Sequence, residues 1–234
     1  MDTLWELLAR ERRSEAIACR LGRDDRVYDY DRFLTTAWQA GNYLRHLGVR
    51  EGVVVGIAED PIPETLLAAL GTGLLGATAW FDPPLGADLR AVIVPADEIE
   101  SHATTPGRQL VAYGESVADP SIERFEEGLW SENPTMPPER PGPETTILTD
   151  GNRSYSQRQL LEAATRFAKL DEVEAGTDVV VRAALGDPGT FVGMLGTLRG
   201  SATIVFPDSA AVAGDVAIGE GPEARVVNPR SLLP

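Results

Sequence analysis

The sequence predicts an α/β fold made of two similar layered subdomains. Short Val/Ile-rich runs, which suit strands covered on both faces, alternate with longer segments whose apolar residues have helical spacing. The same order of elements occurs twice, at a separation of 124 to 127 residues. A proline-rich stretch, "WSENPTMPPERPGP", lies between the two copies. This alternation of strands and helices favours a parallel or mixed sheet in each half.

The first half supplies the elements in a simple order. An amphipathic helix in "MDTLWELLARERR" precedes two short strands, "EAIACRL" and "RVYDY". Residues 31–47 have helical spacing, and "GVREGVVVGIAED" is predicted as a turn followed by a buried strand. "PIPETLLAALGTGLLG" is predicted as a helix with proline near its start, and "ATAWF", "LRAVIVP" and "RQLVAYG" as further strands.

The second half repeats that order. Tyr28 in "RVYDYDRFL" aligns with Tyr155 in "RSYSQRQLL", and "LGTGLLGATAWFDP" aligns with "LGTLRGSATIVFPD". Asp60-Pro61 and Asp187-Pro188 follow equivalent strands, so we expect both pairs to start helices. We therefore expect a first subdomain at 1–130, a stiff proline-rich connector at 131–143 and a second subdomain at 144–234, which repeats residues 26–114.

Composition excludes several classes of function. The chain has 36 acidic and 21 basic residues, a net charge of -15, so nucleic acid and anionic membranes are not expected partners. No apolar run reaches the ~18 residues of a membrane span, and we expect a cytoplasmic protein without a membrane segment. Cys19, His46 and His102 are the only cysteine and histidines, which excludes disulfides and Cys/His metal sites.

The acidic surface also favours a halophilic protein. Lys169 is the single lysine, and many hydrated carboxylates keep a protein soluble in molar salt while the salt screens their repulsion. An ordinary acidic cytosolic protein is the alternative.

The opening pattern of the chain resembles a known superfamily. "YDYDRFLTTAWQAGNYLRHLGVREGVVVGIAEDPIPETLLAALGTGLLGATAWFDPP" is similar to the start of the adenylate-forming enzymes, which include acyl-CoA synthetases, luciferases and peptide-synthetase adenylation domains. The resemblance covers essentially the whole chain but less than half of a typical member. It implies two pseudo-symmetric layered α/β subdomains, like the N-terminal domain of acyl-CoA synthetases. Family members would use ATP, Mg and CoA.

The stretch "ETTILTDGNRSYSQRQLLEAA", residues 144–164, lies where the resemblance implies a phosphate loop rich in Ser, Thr and Gly that ends in Pro-Lys-Gly. Only "DGN" remains between "ILT" and "RSYS", and Asp-Gly favours a tight hairpin because both positions tolerate positive φ. Asp150 would place a negative charge where a triphosphate should lie. We interpret Thr149, Asp150, Gly151 and Asn152 as a relic of that loop, a structural hairpin without phosphate binding.

No other catalytic, cofactor or metal site is assigned. Lys169 is expected on the exposed side of a helix, and the family's C-terminal lysine, ribose-binding aspartate and hinge are not expected within these 234 residues. "GTGLLG", Gly71 to Gly76, follows a helix and precedes a strand, so it indicates helix packing and not a dinucleotide site. Cys19 is expected to be buried and inert, and His46 to lie at a helix end.

The leading hypothesis is a truncated, catalytically inactive acyl-CoA synthetase-like protein that acts through a partner or a ligand. We expect no enzymatic activity, and a homodimer or another protein as the partner. One alternative is the scaffold half of a split AMP-forming acyl-CoA ligase that a second chain completes. Another is a sensor of a small acyl or nucleotide molecule.

Overall fold

The computed structural model describes residues 1–22, 25–102 and 105–233. Two compact units are present. Unit 1 comprises Met1–Leu34, Asp60–Pro63 and Tyr155–Pro234, and unit 2 comprises Thr35–Glu59 and Glu64–Ser154. Each unit contains a sheet dominated by parallel strands together with helices, which confirms the α/β class predicted from the sequence.

The strands are numbered in chain order. They are β1 (Ile17–Leu21), β2 (Asp25–Asp29), β3 (Val54–Ile57), β4 (Thr78–Phe81), β5 (Ala91–Pro95), β6 (Gln109–Tyr113), β7 (Glu123–Arg124), β8 (Thr146–Thr149), β9 (Ser154–Ser156), β10 (Asp178–Val181), β11 (Thr203–Phe206), β12 (Val216–Ile218) and β13 (Arg225–Val227).

The α-helices are α1 (Leu4–Leu7), α2 (Tyr30–His46), α3 (Pro63–Leu74), α4 (Phe125–Ser131), α5 (Gln157–Leu170) and α6 (Pro188–Arg199). Short 3-10 helices occupy Arg10–Arg12, Ile99–Ser101 and Pro229–Leu232. Within the described ranges, no helix combines the length and the apolar character that crossing a membrane requires.

The sheet of unit 1 has the order β13-β12-β10-β11-β1-β2. Its neighbours are parallel, as in the register Val179 to Ile204 and Val179 to Val216, except that β2 runs antiparallel to β1. The central strands β10, β11 and β12 are almost entirely buried, as expected for Val/Ile runs that are covered on both faces.

The sheet of unit 2 has the order β7-β6-β5-β3-β4-β8-β9. The pairs from β7 to β8 are all parallel, and β9 follows β8 across a short turn. This sheet therefore has the same order as that of unit 1, with β7 added at one edge.

The internal repeat is present as an exchange of strands. β1 and β2, from the first half of the sequence, extend the sheet formed by β10 to β13, whereas β8, from the second half, pairs with β4. The compact units follow strand pairing. The subdomain boundaries 1–130, 131–143 and 144–234 remain a prediction from the sequence repeat.

Equivalent positions of the repeat make equivalent hydrogen bonds. The buried Thr72 hydroxyl donates to the Ala68 carbonyl oxygen at 2.8 Å, and the buried Thr197 hydroxyl donates to the Gly193 carbonyl oxygen at 2.9 Å. These two threonines lie 125 residues apart in α3 and α6.

Close helix packing explains "GTGLLG". A Cβ on Gly71 would lie 2.8 Å from the backbone of Ala40 and Gly41 in α2, and a Cβ on Gly196 would lie 2.8 Å from the Ala164 carbonyl oxygen in α5. The glycines let the helix backbones approach each other, which supports the packing interpretation over cofactor binding.

The two expected helix starts have different outcomes. Asp187 is the N-cap of α6, since its carboxylate accepts the Gly189 N–H at 2.9 Å, and Pro188 is the first helical residue. In α3 the expectation was wrong, because the helix begins at Pro63 and not after Asp60-Pro61. A local turn, in which the Ile62 N–H donates to the Asp60 carbonyl oxygen at 2.8 Å, delays the start.

The proline-rich connector is non-helical beyond Ser131, as expected, and it is held on α2 in unit 2. The Gln39 amide donates to the Glu132 carbonyl oxygen at 3.1 Å, and the Asn42 amide donates to the Thr135 carbonyl oxygen at 2.8 Å. His46, in the last turn of α2 as expected, places Nδ1 2.6 Å from Glu132 Oε1. Side chains of α2 therefore fix an otherwise irregular segment.

Candidate functional site

The segment Thr149–Arg153 forms a tight hairpin turn between β8 and β9 in unit 2. The Asp150 N–H donates to the Arg153 carbonyl oxygen at 3.2 Å, which leaves Gly151 and Asn152 as the two loop residues. Gly151 has φ +85° and takes the first central position, the one that type II′ turns give to glycine.

Side chains of the turn accept the turn's own N–H groups. One oxygen of Asp150 accepts the N–H groups of Asn152 at 2.8 Å and Arg153 at 2.7 Å. The Thr149 hydroxyl accepts the Gly151 N–H at 3.1 Å and donates to the Arg153 carbonyl oxygen at 2.8 Å. Three successive backbone donors, which a phosphate loop would direct at its ligand, therefore already have acceptors.

The turn also packs tightly against a neighbouring strand. A Cβ on Gly151 would lie only 2.5 Å from Cζ2 of Trp80, a residue of β4. The indole therefore lies directly against the loop backbone and restricts the space in which the turn could open.

Asp150 does not occupy a loop position, contrary to the prediction from the sequence. We expected Asp-Gly to supply both loop positions with positive φ, but Asp150 precedes the loop pair and has no positive φ. It acts instead as the acceptor for the two N–H groups that follow. The four residues Thr149 to Asn152 lie together as expected, and their status as a relic of a phosphate loop remains a prediction.

The other residues noted in the sequence lie elsewhere. Cys19 is fully buried in β1, as expected. Lys169 is exposed at the end of α5, beside a shallow depression of unit 1 that also involves Asp215 and Arg225. Among the described residues, no group of three His, Cys, Asp or Glu side chains is arranged to hold a metal ion.

Sequence reasoning missed a second polar cluster, in unit 1. Arg182 follows β10 directly, and its Nε lies 2.9 Å from Oε2 of Glu223. The side chain of Glu223 is fully buried. The guanidinium is the main reason that the pKa of the Glu223 carboxyl lies below its usual value. An arginine immediately after a buried valine run was the available signal, but its partner is 41 residues away in the sequence.

Similar folds occur in solved structures. The chain is similar to an anthranilate CoA ligase in complex with anthranoyl-AMP, with a TM-score of 0.74 and 19% identity over 93% of this chain and 49% of that chain. It is also similar to the N-terminal domain of FACL13 from Mycobacterium tuberculosis, with a TM-score of 0.72 and 16% identity over 90% and 58% of the two chains. A luciferase-like enzyme from the mealworm Zophobas morio gives a TM-score of 0.72 and 14% identity over 88% and 53%.

The chain has the fold of the N-terminal domain of acyl-CoA ligases. It spans about half the length of the solved structures that it matches. No protein-family profile and no curated protein sequence matches it. The likeness to the acyl-CoA ligases is therefore one of fold, and the chemistry of this chain has to be argued from its own residues.

Proposed function

We propose that this chain is a catalytically inactive acyl-CoA ligase-like protein that acts by binding a partner or a ligand. The observation that carries the proposal is the closed turn Thr149–Arg153, whose backbone donors are bonded to the oxygens of Thr149 and Asp150. Each α/β unit keeps a buried core, which supports a retained scaffold.

Electrostatics support the loss of phosphate binding at the turn. Adenylation develops negative charge on phosphate oxygens, and enzymes stabilise it with cations and free N–H groups. Here the Asp150 carboxylate accepts the N–H groups of Asn152 and Arg153 and would repel a phosphate. A ligand would have to displace hydrogen bonds to a charged acceptor, each of which is worth ~1.5–3 kcal/mol.

ATP–pyrophosphate exchange tests the proposal. The purified chain is incubated in molar KCl with MgATP and with acetate, fatty acids or aryl acids in turn, beside an active acyl-CoA ligase that sets the detection limit. We expect exchange equal to the no-enzyme blank. Asp150→Ala and a matched substitution of an exposed carboxylate outside the turn, Glu162→Ala, should give the same blank value.

Two results would replace the proposal. Exchange above the blank that Asp150→Ala abolishes and Glu162→Ala preserves would make the turn part of a working site. Exchange that develops only after a co-purifying chain is added back would favour the split ligase. A pull-down from lysate at native salt supplies that second chain if it exists.

A further inference from the structure

The Arg182–Glu223 pair lies at the position where open α/β sheets commonly bind ligands. In unit 1 the chain passes from β10 through α6 to β11 on one side and then returns to β12 on the other side of β10. Ligands of such sheets bind outside the carboxyl ends of the strands at this reversal. Arg182 follows the carboxyl end of β10, and its N–H donates to the carbonyl oxygen of Ile218, the last residue of β12, at 2.9 Å.

The donors around Glu223 form a built site for an oxyanion. Arg182 donates from Nε and Nη2 to the carboxylate, at 2.9 Å to Oε2 and 2.5 Å to Oε1. Nη2 also donates to the Val212 carbonyl oxygen at 2.6 Å, which fixes the plane of the guanidinium. The backbone at Glu223 and Gly214 adds smaller contributions to the lowered pKa of the Glu223 carboxyl. The planar guanidinium fork of Arg182 suits any carboxylate or phosphate group.

The carboxylate that fills this site comes from an exposed loop. Residues 219–224, "GEGPEA", connect β12 to β13, and Glu223 is the buried residue among Glu220 to Ala224 while the others are exposed. Gly221 packs over the pair, since a Cβ there would lie 2.2 Å from Glu223 Oε2 and 2.5 Å from Arg182 Cδ. The loop thus covers the guanidinium with its own backbone and carboxylate.

We propose that the guanidinium of Arg182 forms an oxyanion-binding site, which Glu223 occupies as an internal ligand while the 219–224 loop is closed. A carboxylate or phosphate group of an external ligand takes the place of Glu223 when the loop opens. The site lies in unit 1 and does not depend on the turn in unit 2. Its test is therefore independent of the proposed loss of catalysis.

Rescue by small anions tests the site. In Glu223→Ala the fork loses its carboxylate, so potassium acetate or phosphate, exchanged for KCl at constant ionic strength, should bind and stabilise the variant. About tenfold excess over the dissociation constant should raise the melting temperature by roughly 3–6 °C. The double variant Arg182→Gln/Glu223→Ala is the matched control, because it retains any general salt effect and lacks the fork.

The two anions distinguish the class of ligand. A larger rise in melting temperature with acetate indicates a planar carboxylate ligand, and a larger rise with phosphate indicates a tetrahedral one. Equal responses of the single and double variants would overturn the proposal. Hydrogen exchange of the wild-type protein gives a second test that does not require the variant to fold. The Glu223 amide should exchange at least ~10-fold faster than the Ala217 amide of β12, because loop opening is local. Equal exchange rates would make the pair a permanent structural tie and would also overturn the proposal.

Discussion

Replacing Gly151 with alanine tests whether the turn is closed against Trp80. The new Cβ would lie 2.5 Å from Trp80 Cζ2, and Gly151 has φ +85°. The positive φ costs ~1–2 kcal/mol for an L-residue. The steric overlap adds ~1–3 kcal/mol, which is the usual cost of overpacking. We therefore expect Gly151→Ala to lower the free energy of unfolding by about 2–5 kcal/mol.

Gly114→Ala separates the two costs. Gly114 also has φ +85° and lies in unit 2, but a Cβ there has no atom within 4 Å. Its substitution should cost only the ~1–2 kcal/mol of backbone strain. Denaturant unfolding in molar KCl measures both variants, and the comparison holds where the slope of the free energy against denaturant is unchanged.

A double-mutant cycle with Trp80→Ala completes the test. Removal of the indole should relieve the steric overlap, so the cycle should give a coupling of ~1–3 kcal/mol between Gly151→Ala and Trp80→Ala. If Gly151→Ala costs the same as Gly114→Ala within about 0.5 kcal/mol and the coupling is absent, the turn has room to open. The argument against a ligand at this turn would then fail.

Four further measurements test other parts of the structure. Arg12→Ala should lower the free energy of unfolding by ~1–3 kcal/mol, because Nη2 of Arg12 donates to the Leu198 carbonyl oxygen at 2.6 Å near the end of α6. Arg12→Lys should fall between wild type and Arg12→Ala, and denaturant unfolding measures both variants. The pKa of Glu223 is lowered in the folded protein, so its ionised carboxylate stabilises the fold above the unfolded pKa of ~4.3, and this stabilisation is lost as pH falls through the folded pKa. The difference in unfolding free energy between wild type and Glu223→Gln should therefore shrink in acid. A difference that stays constant with pH would contradict this. The melting temperature should rise steeply with KCl, since the Debye length falls from ~10 Å at 0.1 M to ~3 Å at 1 M; a flat profile would remove the halophile argument. Light scattering in molar KCl should give the mass of a dimer, and a monomer mass at all concentrations would contradict the expected homodimer.

The sequence predicted the features of the fold that depend on neighbouring residues. The Asp187-Pro188 start of α6 depends on neighbouring residues, and the hairpin at Gly151 depends on a few residues around it. Asp60-Pro61 shows the limit of such signals, because a second proline two residues later offers another first helical position and the chain uses it.

Strand exchange and the Arg182–Glu223 site depend on contacts that a linear pattern does not encode. Periodicity identifies β1 as a strand but does not state its partner, and Cys19 of β1 lies opposite Ile204 of β11, 185 residues away. The repeat constrained the order of the strands. The repeat could not specify which of the two sheets β1 and β2 would join, because the equivalent strands β4 and β11 offer equivalent edges for pairing.

Three arginines make contacts that lysine could not make, and such positions say nothing about salt. Arg90 donates from Nε and Nη2 to the Leu47 carbonyl oxygen, just beyond α2, and from Nη1 to the Gly107 carbonyl oxygen. Arg12 and Arg182 likewise direct guanidinium groups at backbone carbonyl oxygens. An ammonium group is a compact charge without a planar fork, so lysine could not make these contacts together. Arginine is therefore required by packing at these positions, whatever the salt concentration. The excess of carboxylates has no such requirement, which leaves the net charge of -15 as the feature that the KCl titration tests.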